Sequence, residues 1–324
     1  MNFRLFSLKK LASLLWDTWC VVSIVGIWPR FIEPNILKIS RLKLPIKGLH
    51  SDLEGLKIVQ FSDLHFRSRM SVAFLNKIVS AIKSLDPDIV VFTGDFLCFS
   101  QLEDPERFRD FLCSISSRYG NYYVFGNHDY ERWVSINSNG DYDCVENNEA
   151  AIVKGLKRLF KKRHLTKVVT SRAREFTYHK KLCDLLHETP FKLLENRTEV
   201  VPIKEAFINI AGLGEYSMGR CNPDKAFQVY DLQHPGIVLS HNPDCFSVLK
   251  KFPGDIVLAG HTHGGQVNIF GIWKKLTSLE NKEFRKGLIV KNNKKMYVNR
   301  GVGSSEPFRW FAPPELLLLT LTNE

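Results

Sequence analysis

The chain lacks any cysteine pair at metal or redox spacing. Its seven cysteines, Cys20, Cys98, Cys113, Cys144, Cys183, Cys221 and Cys245, are odd in number, scattered and never arranged as C-x-x-C. That excludes a disulfide scaffold and a zinc knuckle and reads as free thiols in a reducing compartment. Internal repeats and low-complexity segments are absent too. With 44% hydrophobic and 24% charged residues in 324, disordered and collagen-like chains are excluded. Acidic residues are short in supply: 34 stand against 45 basic ones, a net charge of +11. The excess points to an anionic partner, and nucleic acid, a membrane surface or a phosphorylated substrate would each serve.

One segment is long and apolar. Residues 11–28, LASLLWDTWCVVSIVGIW, carry a single charge, Asp17, and follow Arg4, Lys9 and Lys10. A signal peptide is one reading, but no small-x-small cleavage site follows. A single span at the short end of the required length is the second. A helix lying in the membrane interface is the third: Lys10, Ser13 and Asp17 share one face, and Trp16, Trp19 and Trp28 suit the interfacial zone. A buried N-terminal helix is the alternative to attachment. Three basic residues precede the run and five follow it (Arg30, Lys38, Arg41, Lys43, Lys47), a balance that sets no clear orientation and keeps the downstream domain cytoplasmic if the positive-inside tendency holds. We take 1–48 as anchor and linker and 49–324 as one domain.

Short apolar runs recur at 56–61, 88–93, 122–125, 207–211, 236–240, 255–259, 296–298 and 315–321, and their β-branched content predicts buried strands. Between the first two, Phe74, Leu75, Ile78, Val79, Ile82 and Leu85 follow a helical period over 71–85, and Asp86-Pro87 ends it. Strand–helix–strand at this spacing predicts an α/β fold. The stretch 131–200 reads as an inserted cap rather than a loop. It holds a basic amphipathic helix over 149–163 and a second helix over about 174–187.

Ligand-type residues follow five of the apolar runs. They are Ser62-Asp63-Leu64-His65, Gly94-Asp95, Gly126-Asn127-His128-Asp129, His241-Asn242 and Gly260-His261-Thr262-His263-Gly264-Gly265. Strand C-termini of an α/β sheet open into one crevice, so these residues should converge. Asp63/His65 and His261/His263 are i, i+2 pairs, which on an extended backbone share a side. Gly94, Gly126 and Gly260 should allow sharp exits from the strands. Alone, a G-D or D-x-H is most often a turn or cap. Five in order, each behind an apolar run, form a pattern. Carboxylate, imidazole and carboxamide donors suit Mn²⁺, Fe²⁺ or Zn²⁺. A shared carboxylate can bridge two ions about 3.5–4 Å apart, an arrangement that holds an attacking hydroxide and clamps phosphoryl oxygens.

The series D-x-H, G-D, G-N-H-D, H, G-H-x-H resembles the calcineurin-like metallophosphoesterase superfamily over roughly residues 55–320. The resemblance implies a four-layer α/β/β/α sandwich around a dimetal centre. It implies Asp63, His65 and His263 at one ion, Asn127, His241 and His261 at the other, and Asp95 as the bridge. His128 matches the family histidine that stabilises the leaving group or gives it a proton. Asp129 stands where many members have Glu or Asp, with a less defined role. G-H-T-H-G-G-Q-V, with the tail Asn299-Arg300-Gly301-Val302-Gly303 … Pro313-Pro314-Glu315, is similar to the membrane-associated branch, and within it to the UDP-2,3-diacylglucosamine hydrolases of lipid A synthesis. That implies a lipid-linked sugar nucleotide cut to UMP and 2,3-diacylglucosamine 1-phosphate, with two divalent ions, usually Mn²⁺, at the bacterial inner membrane.

The placement of charge agrees with an anionic lipid. Residues 150–192 hold twelve basic and three acidic residues, and 1–48 and 273–309 are also basic, so the remainder is acidic. A basic amphipathic helix favours anionic head groups or a diphosphate, which makes Lys157, Arg158, Lys161 and, from the tail, Arg300 candidate substrate contacts. The apolar stripe of that helix either packs on the core or lines an acyl-chain groove. Three rivals stand beside this reading. A broad-specificity membrane-associated phosphodiesterase or phosphatase would act on simple esters without anchor or cap. A nucleic-acid-directed phosphoesterase would interleave basic and aromatic residues, and 154–163 has only Phe160. A non-catalytic module is opposed by the complete ligand set.

Overall fold

The computed structural model describes residues 2–146, 165–268, 279–306 and 308–324, with side chains from Leu8 onward. Helix α1 (Asn2–Val22) continues into a π-helical stretch, Ser23–Ile32, which carries Pro29. Then follow β1 (Lys38–Ile46), β2 (Lys57–Phe61), α2 (Val72–Leu85), β3 (Ile89–Thr93), α3 (Pro105–Cys113), β4 (Asn121–Val124), β5 (Val134–Ile136) and β6 (Tyr142–Cys144). Next come α4 (Ser171–Glu175), α5 (Lys180–His187), β7 (Phe191–Leu193), β8 (Arg197–Ile203), β9 (Ala206–Gly212) and α6 (Pro223–Ala226). The chain ends with β10 (Gly236–Leu239), β11 (Ile256–Ala259), β12 (Gly287–Lys291), β13 (Lys294–Val298) and β14 (Glu315–Asn323). Every apolar run expected to be a strand is one. Helix α2 forms where the 3.6-residue period predicts it and stops at Asp86, whose left-handed backbone leads into Pro87.

Two six-stranded sheets are built, in the orders β1-β14-β2-β3-β4-β7 and β12-β13-β11-β10-β9-β8. In the first, β2, β3, β4 and β7 run parallel; in the second, β9, β10, β11 and β13 do. Period-2 alternation sorts their side chains. Ile58, Ile89, Val91 and Leu319 of the first sheet share one cluster with Ile208, Ile237, Leu239 and Leu258 of the second. Val59, Phe61, Val90 and Phe92 face the other way, onto Ile78 and Ile82 of α2, Phe108 of α3 and Leu182 of α5. The far side of the second sheet packs Val238, Val257 and Met296 on Phe246, Leu249 and Phe284. Among the described residues both sheets are thus covered on both faces, which leaves the ends of their strands for a polar site.

Two expectations change. The helix foreseen over 174–187 is broken, because Phe176–Tyr178 runs extended: the Glu131 N–H donates to Thr177 O and Tyr178 bridges to Tyr130. The stretch 131–200 is also narrower as an insertion. Leu182, Leu185, Leu186 and Phe191 belong to the main core, so α5 and β7 dock there and β7 pairs with β4. Among the described residues, β5, β6, α4 and α5 are the elements of that stretch outside both large sheets, and Val134, Ile136, Tyr142 and Ala173 carry β5, β6 and α4 onto the same core. The basic helix over 149–163, with Lys157, Arg158 and Lys161, lies outside the described residues.

The apolar N-terminal segment is not a core helix. Leu8–Asn35 is one continuous helix of 28 residues with its apolar window unburied. At about 1.5 Å per residue it is longer than the roughly 30 Å hydrocarbon layer of a bilayer. It exceeds the 11–28 run because helical winding persists through Pro29.

Candidate metal centre

Each sheet delivers its ligand-type residues from strand C-termini. Asp63 and His65 follow β2, Asp95 follows β3, Asn127, His128 and Asp129 follow β4, His241 follows β10, and His261 and His263 follow β11. The structure brings together all seven residues expected as ligands, with His128. Three groups of donor atoms form, each within 4.8 Å: Asp63/His65/His263, His65/Asp95/His128 and Asp95/His241/His261. Asp95 joins them. Its Oδ2 lies 3.5 Å from His65 Nε2 and 3.2 Å from His241 Nε2. Its Oδ1 accepts the His128 backbone N–H at 2.9 Å.

The local geometry differs from the extended one expected. Asp63, His65, Asp95, His261 and His263 all have positive φ, between 45° and 70°. Side chains therefore converge through left-handed kinks, not through strand alternation, and five non-glycine residues bear that strain where the ligands sit. The glycines divide as well. Gly94 has the positive φ of a sharp exit (+86°), whereas Gly126 is needed for space: a Cβ there would lie 2.2 Å from Asp95 Oδ1.

The donor set fits divalent cations. His241 Nδ1 lies 2.8 Å from Thr93 O, so that nitrogen carries the proton. Its Nε2 then faces Asp95 Oδ2, Asn127 Oδ1 at 3.1 Å and His261 Nδ1 at 3.1 Å. His65 repeats the pattern, with Nδ1 3.0 Å from Leu97 O and Nε2 3.1 Å from His263 Nε2. Asn127 gives its Nδ2–H to Val134 O at 2.7 Å, which turns Oδ1 inward. Carboxylate, carboxamide and imidazole atoms packed this closely call for positive charge among them, protons or metal cations, and second partners on the outer nitrogens are how metal-binding histidines are oriented.

Electrostatics agree. Burial pushes His65 and His261 down to about 3 and raises Asp63 to about 7, with Asp95 adding to the rise. Burial alone would lower His241, but the Asp95 carboxylate raises it well above the usual imidazole range. A buried group whose carboxylates draw a proton onto His241 favours positive charge, which divalent cations at the same donors would supply.

His128 is a neutral donor. Its Nδ1 accepts the Phe99 N–H at 2.8 Å, so the ring proton sits on Nε2. Burial lowers it to about 4. The ring stacks on Trp133 and meets His65 edge-on. Asp129 is a clamp: its carboxylate accepts backbone N–H groups of Asp95, Leu97 and Gly126, each at 2.9 Å. Arg300 holds Glu315 through its backbone N–H and Nε, both at 3.0 Å, and packs its stem over Gly264.

Sequence reasoning missed Arg309 and Glu215. Arg309, fully buried, donates to Ala312 O, Gly301 O and Gly303 O and approaches His263 Nδ1 at 3.4 Å. Glu215, also buried, caps the Tyr216–Met218 turn and is close enough to His241 to raise it. The charge of the arginine in Pro307-Phe308-Arg309-Trp310-Phe311 argues against burial. Its aromatic neighbours were the available signal.

A donor set able to hold two cations suits hydrolysis of phosphate esters among other reactions, and residues 56–265 match the calcineurin-like phosphoesterase family. The chain belongs to that family and is a metal-dependent phosphoesterase. It is 40% identical to the UDP-2,3-diacylglucosamine pyrophosphatase LpxG of Chlamydia muridarum, across 92% of this chain and 93% of that protein. The same-named protein of Chlamydia trachomatis is 39% identical over 92% of this chain and 93% of its own. The phosphodiesterase YaeI of Escherichia coli is 24% identical, over 90% of each.

Proposed function

We propose that this protein hydrolyses the diphosphate of UDP-2,3-diacylglucosamine, releasing UMP and 2,3-diacylglucosamine 1-phosphate in lipid A synthesis. The 40% identity to a pyrophosphatase of that substrate, sustained over nearly the whole chain, carries the reading. Asp63, His65 and His263 would hold one divalent ion and Asn127, His241 and His261 the other, with Asp95 shared; Mn²⁺ suits these donors. Bound there, the ions would supply Lewis-acid neutralisation of phosphoryl charge and an activated water.

The chain's own residues do the remaining work. His128 offers the Nε2 proton of a neutral imidazole, a hydrogen bond to a phosphoryl or leaving-group oxygen that strengthens as negative charge builds. Asp129 keeps the loops of Asp95 and Asn127 in register. The kinked backbone holds the ligand side chains in place before substrate arrives, so little reorganisation remains for the reaction. The basic block 150–192, with Lys157, Arg158 and Lys161, would meet the diphosphate or anionic head groups. The N-terminal helix holds the enzyme at the inner membrane with its catalytic domain on the cytoplasmic side.

Incubation with UDP-2,3-diacylglucosamine and Mn²⁺ in detergent, with UMP as readout, tests the reading. Metal-dependent UMP release supports it. Turnover of simple diesters without release of UMP from the acylated sugar nucleotide would favour a broad phosphodiesterase instead. K157S/R158S/K161S, which leaves the core segment α4–β7 intact, should raise KM for the acylated substrate strongly, and an unchanged KM removes the role of the basic block.

A further inference from the structure

The foot of the N-terminal helix is bonded to the loop that flanks the metal centre. Glu33, buried at the end of the helix, accepts the Phe311 N–H at 2.9 Å and the Ala312 N–H at 2.6 Å, and also the Trp28 Nε1–H at 2.9 Å. The Arg309 N–H donates to Pro29 O at 2.8 Å. The same loop is laced to the segment just after His263. Trp310 N–H donates to Gln266 O and Asn268 N–H to Trp310 O, both at 2.8 Å, while Gln266 Nε2 donates to Phe308 O at 3.0 Å. Arg309 closes the chain of contacts at His263 Nδ1.

This junction exposes large apolar side chains. Phe311 is 60% exposed and Phe31 64%, with Trp28 and Ile32 also exposed. Phe311 has φ +55°, a strained value for a bulky residue, and the Glu33 bond to its N–H holds it there. Arg30 lies over the Phe31 ring at 5.3 Å. From the same junction, edge strand β1 departs with Lys38, Arg41 and Lys43 exposed, and the Lys38 N–H is tied to Pro314 O. Aromatic side chains beside exposed cations, continuous with an unburied apolar helix, match the interfacial layer of an anionic bilayer.

We propose that the turn Phe308–Phe311 and the helix end Trp28–Ile32 form one lipid-contacting foot that seats the mouth of the metal centre on an anionic bilayer surface. The bonded path from this foot to Gln266 and His263 fixes the height of the centre above the lipid. A substrate anchored by acyl chains would then meet the metal site without leaving the membrane. This last consequence rests on the proposed substrate; the foot itself does not.

The test uses the full chain in vesicles of phosphatidylethanolamine and phosphatidylglycerol that contain nitroxide-labelled lipid. F311C, L15C on the helix and L232C carry a bimane label, and the wild-type chain treated in parallel gives the background. Leu232 is 79% exposed and precedes β10, at the opposite strand end from the metal centre. Quenching of about twofold or more at positions 311 and 15, with none at 232, is the expected result. Quenching at 15 but not at 311 overturns the foot. Shielding of 311 from aqueous iodide without lipid quenching would place a protein there and also overturns it. Separately, F31S/F311S should raise KM for vesicle-borne substrate about tenfold while leaving hydrolysis of soluble bis(p-nitrophenyl) phosphate unchanged. Equal loss on both substrates refutes the docking role. If the wild type does not hydrolyse the acylated sugar nucleotide, the substrate assignment fails, and the quenching result still decides the foot.

Discussion

Asp129 offers the sharpest test of how the site is built. Its carboxylate sits at zero exposure and accepts three backbone N–H groups, two on Oδ2 from Asp95 and Gly126 and one on Oδ1 from Leu97. Burial and the nearby Asp95 raise its affinity for a proton, and the N–H donors oppose the rise. With donors on both oxygens, we take the ionised form as the native one. Asp129→Ala leaves three buried donors without partners. At about 1–3 kcal/mol each, with some relaxation, the loss is about 3–6 kcal/mol. Unfolding entropy for a chain of this length is about 0.7 kcal/mol/K, so the melting temperature should fall by about 4–9 °C. Asp129→Asn keeps one acceptor oxygen and turns an NH₂ toward donors, so its loss should be intermediate.

The same substitution frees the segment that carries Asp95 and Leu97, whose carbonyl orients His65. Metal content should therefore drop below two ions per chain, read by elemental analysis beside a thermal melt. A melting temperature within about 1 °C of wild type, with full metal content, would refute the clamp. Lost turnover with stability and metal both intact would instead place Asp129 on the substrate.

The other predictions concern the same centre. Asp95→Ala removes the oxygen shared by His65 and His241, and equilibrium dialysis should show both ions lost together with activity. His128→Ala should retain both ions but lose about 10²–10³ of kcat, and near-wild-type turnover would remove its assigned role. Gly126→Ala drives a methyl group to 2.2 Å from Asp95 Oδ1, so metal affinity should fall although no ligand is changed. Chelation of the ions should lower the melting temperature, since ligands bound at about 100 times their Kd contribute about 2.7 kcal/mol each; an unchanged melt would mean that the folded apo site has no such linkage.

The sequence by itself determined much of this protein. Apolar runs such as Ile89–Thr93 and Ile256–Ala259 announce buried strands, since a strand covered on both faces has no need of polar residues. Residue type and order point to divalent-metal chemistry at Asp63, His65, Asp95, Asn127, His241, His261 and His263, because carboxylate, imidazole and carboxamide groups are its donors; the part given to each of them, and to His128, came from the family resemblance. The unburied apolar helix was equally legible from its composition. Local pattern does not report where a backbone kinks or which distant group a polar atom meets. The left-handed turns at Asp63 and His261, the clamp made by Asp129, the burial of Arg309 and the bond from Glu33 to Phe311 therefore came only from the tertiary structure. Each depends on contacts between segments far apart in the chain, up to the 278 residues between Glu33 and Phe311. Ligand chemistry is a property of single side chains, whereas placement and strain are properties of the packed whole.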